Sequence, residues 1–152
     1  MLIKDIMLPG IKTVSAESTM AEANQIMQNN GFRHLPVSDG KSIIGIISDR
    51  DVQRATTVIK NPNTTSDHHI YPHKLVTEYM SSPVYKMKIT ESVKEVAREM
   101  LNRKVSCFLI EDETGKDVGI ITTDDLLVLL LDVLDARKPS LFKLLGLGRS
   151  RV

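Results

Sequence analysis

Two seven-residue stretches carry side chains whose types and spacing could do chemistry. One is Gly45-Ile46-Ile47-Ser48-Asp49-Arg50-Asp51; the other is Gly119-Ile120-Ile121-Thr122-Thr123-Asp124-Asp125. In each, an apolar run leads to a hydroxyl, a carboxylate follows three residues later, and an apolar helix follows that. A hydroxyl both donates and accepts, and an ionised carboxylate accepts at both oxygens. The chemistry open to such a pair is hydrogen bonding rather than bond making. Its simplest form is local, because a Ser or Thr followed by an acid is a common helix start. Either stretch alone reads as a cap.

The remaining sequence offers no stronger chemistry. It has no nucleophile–base set and no glycine-rich phosphate loop of the P-loop or dinucleotide type. No catalytic residue, and no enzyme, is expected. His68, His69 and His73 cluster in a polar segment, but their spacing matches no zinc pattern and no cysteine is near, so no metal is expected. Cys107 opens an apolar run with neither His nor acid beside it, and reads as a packed thiol. A net charge of +1 provides no global field to recruit nucleic acid. With no apolar signal core and no bilayer-length apolar run, the expected place is the cytoplasm. Aromatics make up 4% of the chain and Trp is absent, so the core must be aliphatic plus Met.

The elements that position the two stretches are themselves duplicated. Met7 and Met80 each follow a β-branched residue by four places and precede a proline. At the same interval, Thr19 to Glu22 and Ser92 to Glu95 both read as capping boxes. Gly45 and Gly119 lie one residue further apart, a slip that falls in the turns 38–40 and 111–115, where insertion costs least. Each repeat predicts a short leading helix, a brief extended piece (Thr13-Val14, or Val84 to Met87) and an amphipathic helix. The stripe Val93, Val96, Ala97, Met100, Leu101 marks that helix in the second repeat; Met20, Ala23, Asn24, Met27, Gln28 is its weaker counterpart. Two short apolar strands and a closing helix complete the unit, from Asp51 to about Val58 and from Asp125 to about Ala136. The unit is β-α-β-β-α and the class α+β. The organisation is a first motif at 1–60, a polar surface linker at 61–73, a second motif at 74–136 and a basic, leucine-containing tail at 137–152.

This duplicated unit resembles the CBS motif, and the tandem pair resembles a Bateman module. The two heptads are the most specific marks. Phe32-Arg33-His34-Leu35-Pro36-Val37 is a further one, from which Val105-Ser106-Cys107-Phe108-Leu109-Ile110 departs. The resemblance implies two motifs packed about a pseudo-twofold axis, with two clefts between them that commonly bind adenine nucleotides or related adenosyl compounds. It also implies a homodimer of modules, and backbone at Thr13, Val14, Lys86 and Met87 reading the adenine edge.

Elementary chemistry agrees with a nucleoside. A ribose offers two vicinal hydroxyls, and a carboxylate accepts from both in charge-assisted bonds. Asp51 and Asp125 are placed for this. Ser48 and Thr122 can cap the helix or reach sugar or phosphate, and a helix N-terminus suits phosphate. AMP, ADP and ATP are the leading candidates, with NAD and S-adenosylmethionine behind them. Arg33, His34 and Arg50 are phosphate-side candidates in the first repeat, whereas Asp124 and Asp125 repel an anionic tail. The expectation is asymmetric occupancy, with the phosphate-bearing ligand preferring the cleft that Arg33 or Arg50 reaches; which arginine faces which cleft stays open. With no catalytic segment beside the pair, the signal would pass to a separate target protein. The alternative is a nucleotide-independent scaffold. The apolar run Leu126 to Leu134 fits a dimer face. Packing on the dimer, or disorder, is the expectation for the tail, rather than a membrane role.

Overall fold

The computed structural model describes residues 1–7, 10–59, 67–70 and 73–135, with 57–59 and 67–70 described as backbone alone. The predicted basic tail therefore lies outside the described residues. Among the described residues, no helix is long and apolar enough to cross a membrane. The chain divides into two compact units, one formed by Lys12–Val84 and the other by Met1–Ile11 together with the chain from Tyr85 onward.

In the unit 12–84 the order is β1 (Val14–Ser15), α1 (Met20–Asn30), β2 (His34–Ser38), β3 (Ile43–Ser48) and α2 (Asp49–Ala55). Strand β2 is central, parallel to β1 and antiparallel to β3. Helix α1 starts at a complete capping box: Thr19 N–H donates to Glu22 Oε2 at 2.7 Å and Glu22 N–H to Thr19 Oγ1 at 3.3 Å. The Thr19 N–H, together with the Thr19 hydroxyl that donates to the same Oε2 at 3.0 Å, holds the Glu22 carboxyl below its usual range. Gly31, at φ 65°, supplies the left-handed turn that ends it.

This unit departs from the sequence reading at its end. The closing helix stops at Ala55 rather than near Val58. Thr56–Ile59 form strand β4, which pairs antiparallel with β5 (Asp67–Ile70). The physical reason is the run Thr56-Thr57-Val58-Ile59, four β-branched residues that favour a strand over a helix. Thr56 Oγ1 also donates to Val52 O at 2.8 Å, closing the last turn. The segment read as a polar linker thus contains a strand, and His68 and His69 lie on it rather than in a loop.

The other unit repeats the plan with β6 (Lys86–Lys88), α3 (Val93–Arg103), β7 (Cys107–Glu111), β8 (Asp117–Thr122) and α4 (Thr123–Leu134). Strand β7 is central, parallel to β6 and antiparallel to β8. The register slips at Val37/Ser38 in one sheet and at Ile110/Glu111 in the other, so the duplication extends to the irregularity. Helix α3 has half of the predicted capping box: Ser92 Oγ accepts from Glu95 N–H at 3.1 Å, but Glu95 pairs with Arg98. The apolar stripes are narrower than predicted. Leu101 is exposed, as is Gln28 at the matching place in α1.

The two central strands are buried on both faces, with Leu35, Pro36 and Val37 matched by Phe108, Leu109 and Ile110. Around them the leading segments are exchanged between repeats. The 3-10 turn Val76–Glu78, from the second repeat, lies in the unit 12–84, where Val76 joins Val14, Met20, Leu35 and Ile47 in the core. The turn Ile3–Asp5, from the first repeat, lies in the other unit, where Ile3 joins Met87, Val96, Phe108 and Ile121. Backbone bonds fix both. Val76 N–H donates to Ser18 O at 2.9 Å, and Ile3 N–H to Glu91 O at 2.9 Å.

Candidate functional site

Each heptad is the point where the third strand of a sheet turns into the closing helix. Ser48 ends β3 and Asp51 lies in the first turn of α2; Thr122 ends β8 and Asp125 lies in the first turn of α4. Ser48 N–H and Oγ–H both donate to Asp51 Oδ2, at 2.8 and 2.6 Å. Thr122 N–H and Oγ1–H both donate to Asp125 Oδ2, at 2.7 Å each. The acid's return bonds of a capping box are therefore present in both; Thr122 Oγ1 also accepts from Asp125 N–H at 3.4 Å, whereas the Ser48 side chain makes no cap bond of its own. Asp51 is 6% exposed and Thr122 3%, so these polar groups need such partners.

The same backbone bond anchors both turns: Asp49 N–H donates to Arg33 O at 3.0 Å and Thr123 N–H to Ser106 O at 2.9 Å. This makes Arg33 the counterpart of Ser106. His34 sits on β2 opposite Ser48, as Cys107 sits on β7 opposite Thr122. Arg33 Nε donates to Asp49 Oδ2 at 3.0 Å, and Arg50 is exposed on α2. Burial pushes the Cys107 thiol up to about 12, so it stays protonated near neutrality and is a poor nucleophile.

One residue escaped the sequence reading. Arg54 Nη1 donates to Asp51 Oδ1 at 3.0 Å. The acid–base spacing of Asp51 and Arg54, three residues along a helix, was the signal that could have found it. The counterpart of Arg54 in the second repeat is Val128, on α4, whose side chain has no donor. The two carboxylates are thus oriented alike through Oδ2, and the arginine three residues on belongs to Asp51 alone.

The base-side candidates also occupy matching places. Val14 pairs with Val37 and Met87 with Ile110, so Thr13 matches Lys86. Strands β1 and β6 are edge strands of their three-stranded sheets, so one side of their backbone is outside the ladder. Val14 and Met87 are buried, while Thr13 and Lys86 are exposed; Lys86 Nζ donates to Asp117 Oδ1 at 2.7 Å. Among the described residues no group of three or more His, Cys, Asp or Glu could hold a metal ion.

A family model described as CBS domain matches residues 3–57 and 76–132. A CBS domain-containing protein of Dictyostelium discoideum is 30% identical over 141 residues, covering 91% of this chain and 97% of that one. A homoserine O-acetyltransferase of Methanosalsum zhilinae is 32% identical over 125 residues; these are 82% of this chain, which spans only 23% of that relative's length. Among solved structures, the CBS domain pair of protein MJ0100, in complex with 5′-methylthioadenosine and S-adenosyl-L-methionine, matches with a TM-score of 0.71 at 25% identity, covering 88% of this chain and 98% of that one. Since the family model takes in both repeats with their heptads and closing helices, the chain belongs to the CBS domain family and carries two of its domains in tandem.

Proposed function

We propose that the pair is a regulatory ligand-sensing module for an adenine nucleotide or adenosyl compound. In this reading Asp51 and Asp125 take ribose hydroxyls, with Ser48 and Thr122 holding each carboxylate and reaching sugar or phosphate. Edge-strand backbone at Thr13, Val14, Lys86 and Met87 meets the base, and Arg33, His34 and Arg50 serve the phosphate side. The phosphate-bearing ligand prefers the first heptad, and occupancy is passed to a separate target protein. The observation that carries the reading is the duplicated carboxylate, fixed through one oxygen by its own cap in both heptads. The adenosyl ligands of the MJ0100 pair support it.

A scaffold that binds no nucleotide is the second reading. The specific observation in its favour is that capping alone accounts for both hydroxyl–carboxylate pairs.

A thermal-shift screen with AMP, ADP, ATP, NAD, 5′-methylthioadenosine and S-adenosylmethionine separates the two. A ligand at a hundred times its Kd stabilises the native state by about 2.7 kcal/mol, a readily measured rise in melting point. Asp51→Ala and Asp125→Ala should each remove part of that rise, Asp51→Ala removing more for the phosphate-bearing ligands. No shift with any compound leaves the scaffold, and equal losses in the two variants end the asymmetry.

A further inference from the structure

We infer that Arg54 is a specificity-determining latch on Asp51, one that sorts phosphate-bearing from neutral adenosyl ligands. The inference rests on the ribose reading of Asp51 and deepens it. An ionised carboxylate offers about four acceptor positions. Asp51 fills three of them within the chain, with Ser48 N–H and Oγ–H on Oδ2 and Arg54 Nη1 on Oδ1. A ribose brings two hydroxyl donors. One of the existing donors must yield.

The donor that yields is Arg54. Ser48 is fixed at the junction of β3 and α2 and donates partly through its own backbone. Arg54 holds Oδ1 from the end of a long side chain that is 67% exposed, whereas the Asp51 side chain is 8% exposed. An exposed guanidinium leaves at little cost, since pairs of this kind are weak in water. Once released it stands beside the bound sugar, which carries the ligand's 5′ substituent. A 5′-phosphate gives the guanidinium a new charge-assisted partner with matching fork geometry. A neutral thioether gives it none. The latch therefore opposes every ligand equally on entry and rewards only the anionic ones afterwards. The position that matches Arg54 in the second repeat is Val128, which carries no guanidinium.

The test is calorimetric titration of the full chain in an Asp125→Ala background, so that the first heptad alone is read, with AMP and 5′-methylthioadenosine as probes. Arg54→Leu should weaken AMP about tenfold and tighten 5′-methylthioadenosine about threefold. Arg54→Lys should keep part of the AMP affinity, supplying the charge without the fork. The AMP effect should shrink as salt is raised. Opposite signs for the two probes are the signature, and loss of a merely structural contact would move both probes the same way. If both move together, or neither moves, while Asp51→Ala still abolishes binding, the latch is wrong and the ribose site stands. If Asp51→Ala leaves binding intact, or neither probe binds, the site and the latch fall together. Far-ultraviolet circular dichroism confirms that each variant folds.

Discussion

The side chain of Met80 lies directly over Gly45, so that a Cβ added at Gly45 would meet Met80 Sδ well inside van der Waals contact. Close approach of a side chain to a strand is one reason for glycine there. The contact belongs to the exchanged segment, since Ile46 and Ser81 bond to each other through both backbone N–H groups, at 3.1 and 2.9 Å. Gly45→Ala should therefore cost about 1–3 kcal/mol, as overpacking does. Met80→Ala in the same chain should recover part of that, because the two sites share one volume. Urea unfolding of the four proteins of this cycle measures it. Additive losses would refute the coupling.

The exchange of leading segments makes a prediction of its own. Ile3 is 0% exposed among residues contributed by the second repeat. Ile3→Ala should cost about 2–5 kcal/mol, the range for core truncations to alanine. Amide hydrogen exchange should then speed up in α3 and β7 ahead of α1 and β2, although Ile3 is nearer to α1 in sequence. Faster exchange in α1 and β2 first would contradict the exchange of segments.

What the sequence made legible was whatever local chemistry decides. The Thr19 box, the Gly31 turn and the buried runs 35–37 and 108–110 follow from side-chain type and period, and the structure bears them out. The strand at 56–59 is hidden in the sequence because its β-branched run directly continues an apolar helix and its partner, 67–70, lies in a polar stretch. Leu101 shows the opposite failure, a residue in register with an apolar stripe whose width is set by the sheet beneath. The exchange of Ile3 and Val76 depends on where each segment packs, which periodicity does not encode. At the heptads the hydroxyl and carboxylate were legible; at the first, the arginine on the second carboxylate oxygen is marked only by its three-residue spacing from Asp51, a signal the heptad pattern does not include.

Cys107 provides a pH test with a definite sign. Burial raises its thiol from 9.0 to about 12. Between those values the unfolded chain gives up the proton and the folded chain keeps it. Stability therefore falls as pH rises through that window, and the contribution is fully present below it. Replacing Cys107 with Ala should flatten the difference in stability between pH 8.5 and 10.5. Below the window, iodoacetamide should label the native thiol far more slowly than the unfolded one, following its much lower thiolate fraction. Labelling at comparable rates in water and in denaturant would show a thiol that is not desolvated.

Helix α4 carries the last prediction, self-association. Leu127, Leu130, Leu131 and Leu134 are 58%, 50%, 45% and 71% exposed. Their spacing of three, one and three residues sets them on one face of the helix, so this is a stripe rather than scattered apolar residues. A stripe of that spacing usually faces a core, and an exposed one marks an interaction surface. We propose that a second copy covers it. Burying a leucine is worth about 1.5–3 kcal/mol, so two charges placed in the stripe should remove several kcal/mol of association. Sedimentation equilibrium should show a dimer for the native chain and a monomer for Leu130→Glu/Leu131→Glu. The melting point of the monomeric variant should become independent of protein concentration, whereas that of the dimer rises with it. A native chain that stays monomeric at high concentration, or a charged variant that still pairs, would remove α4 from the interface.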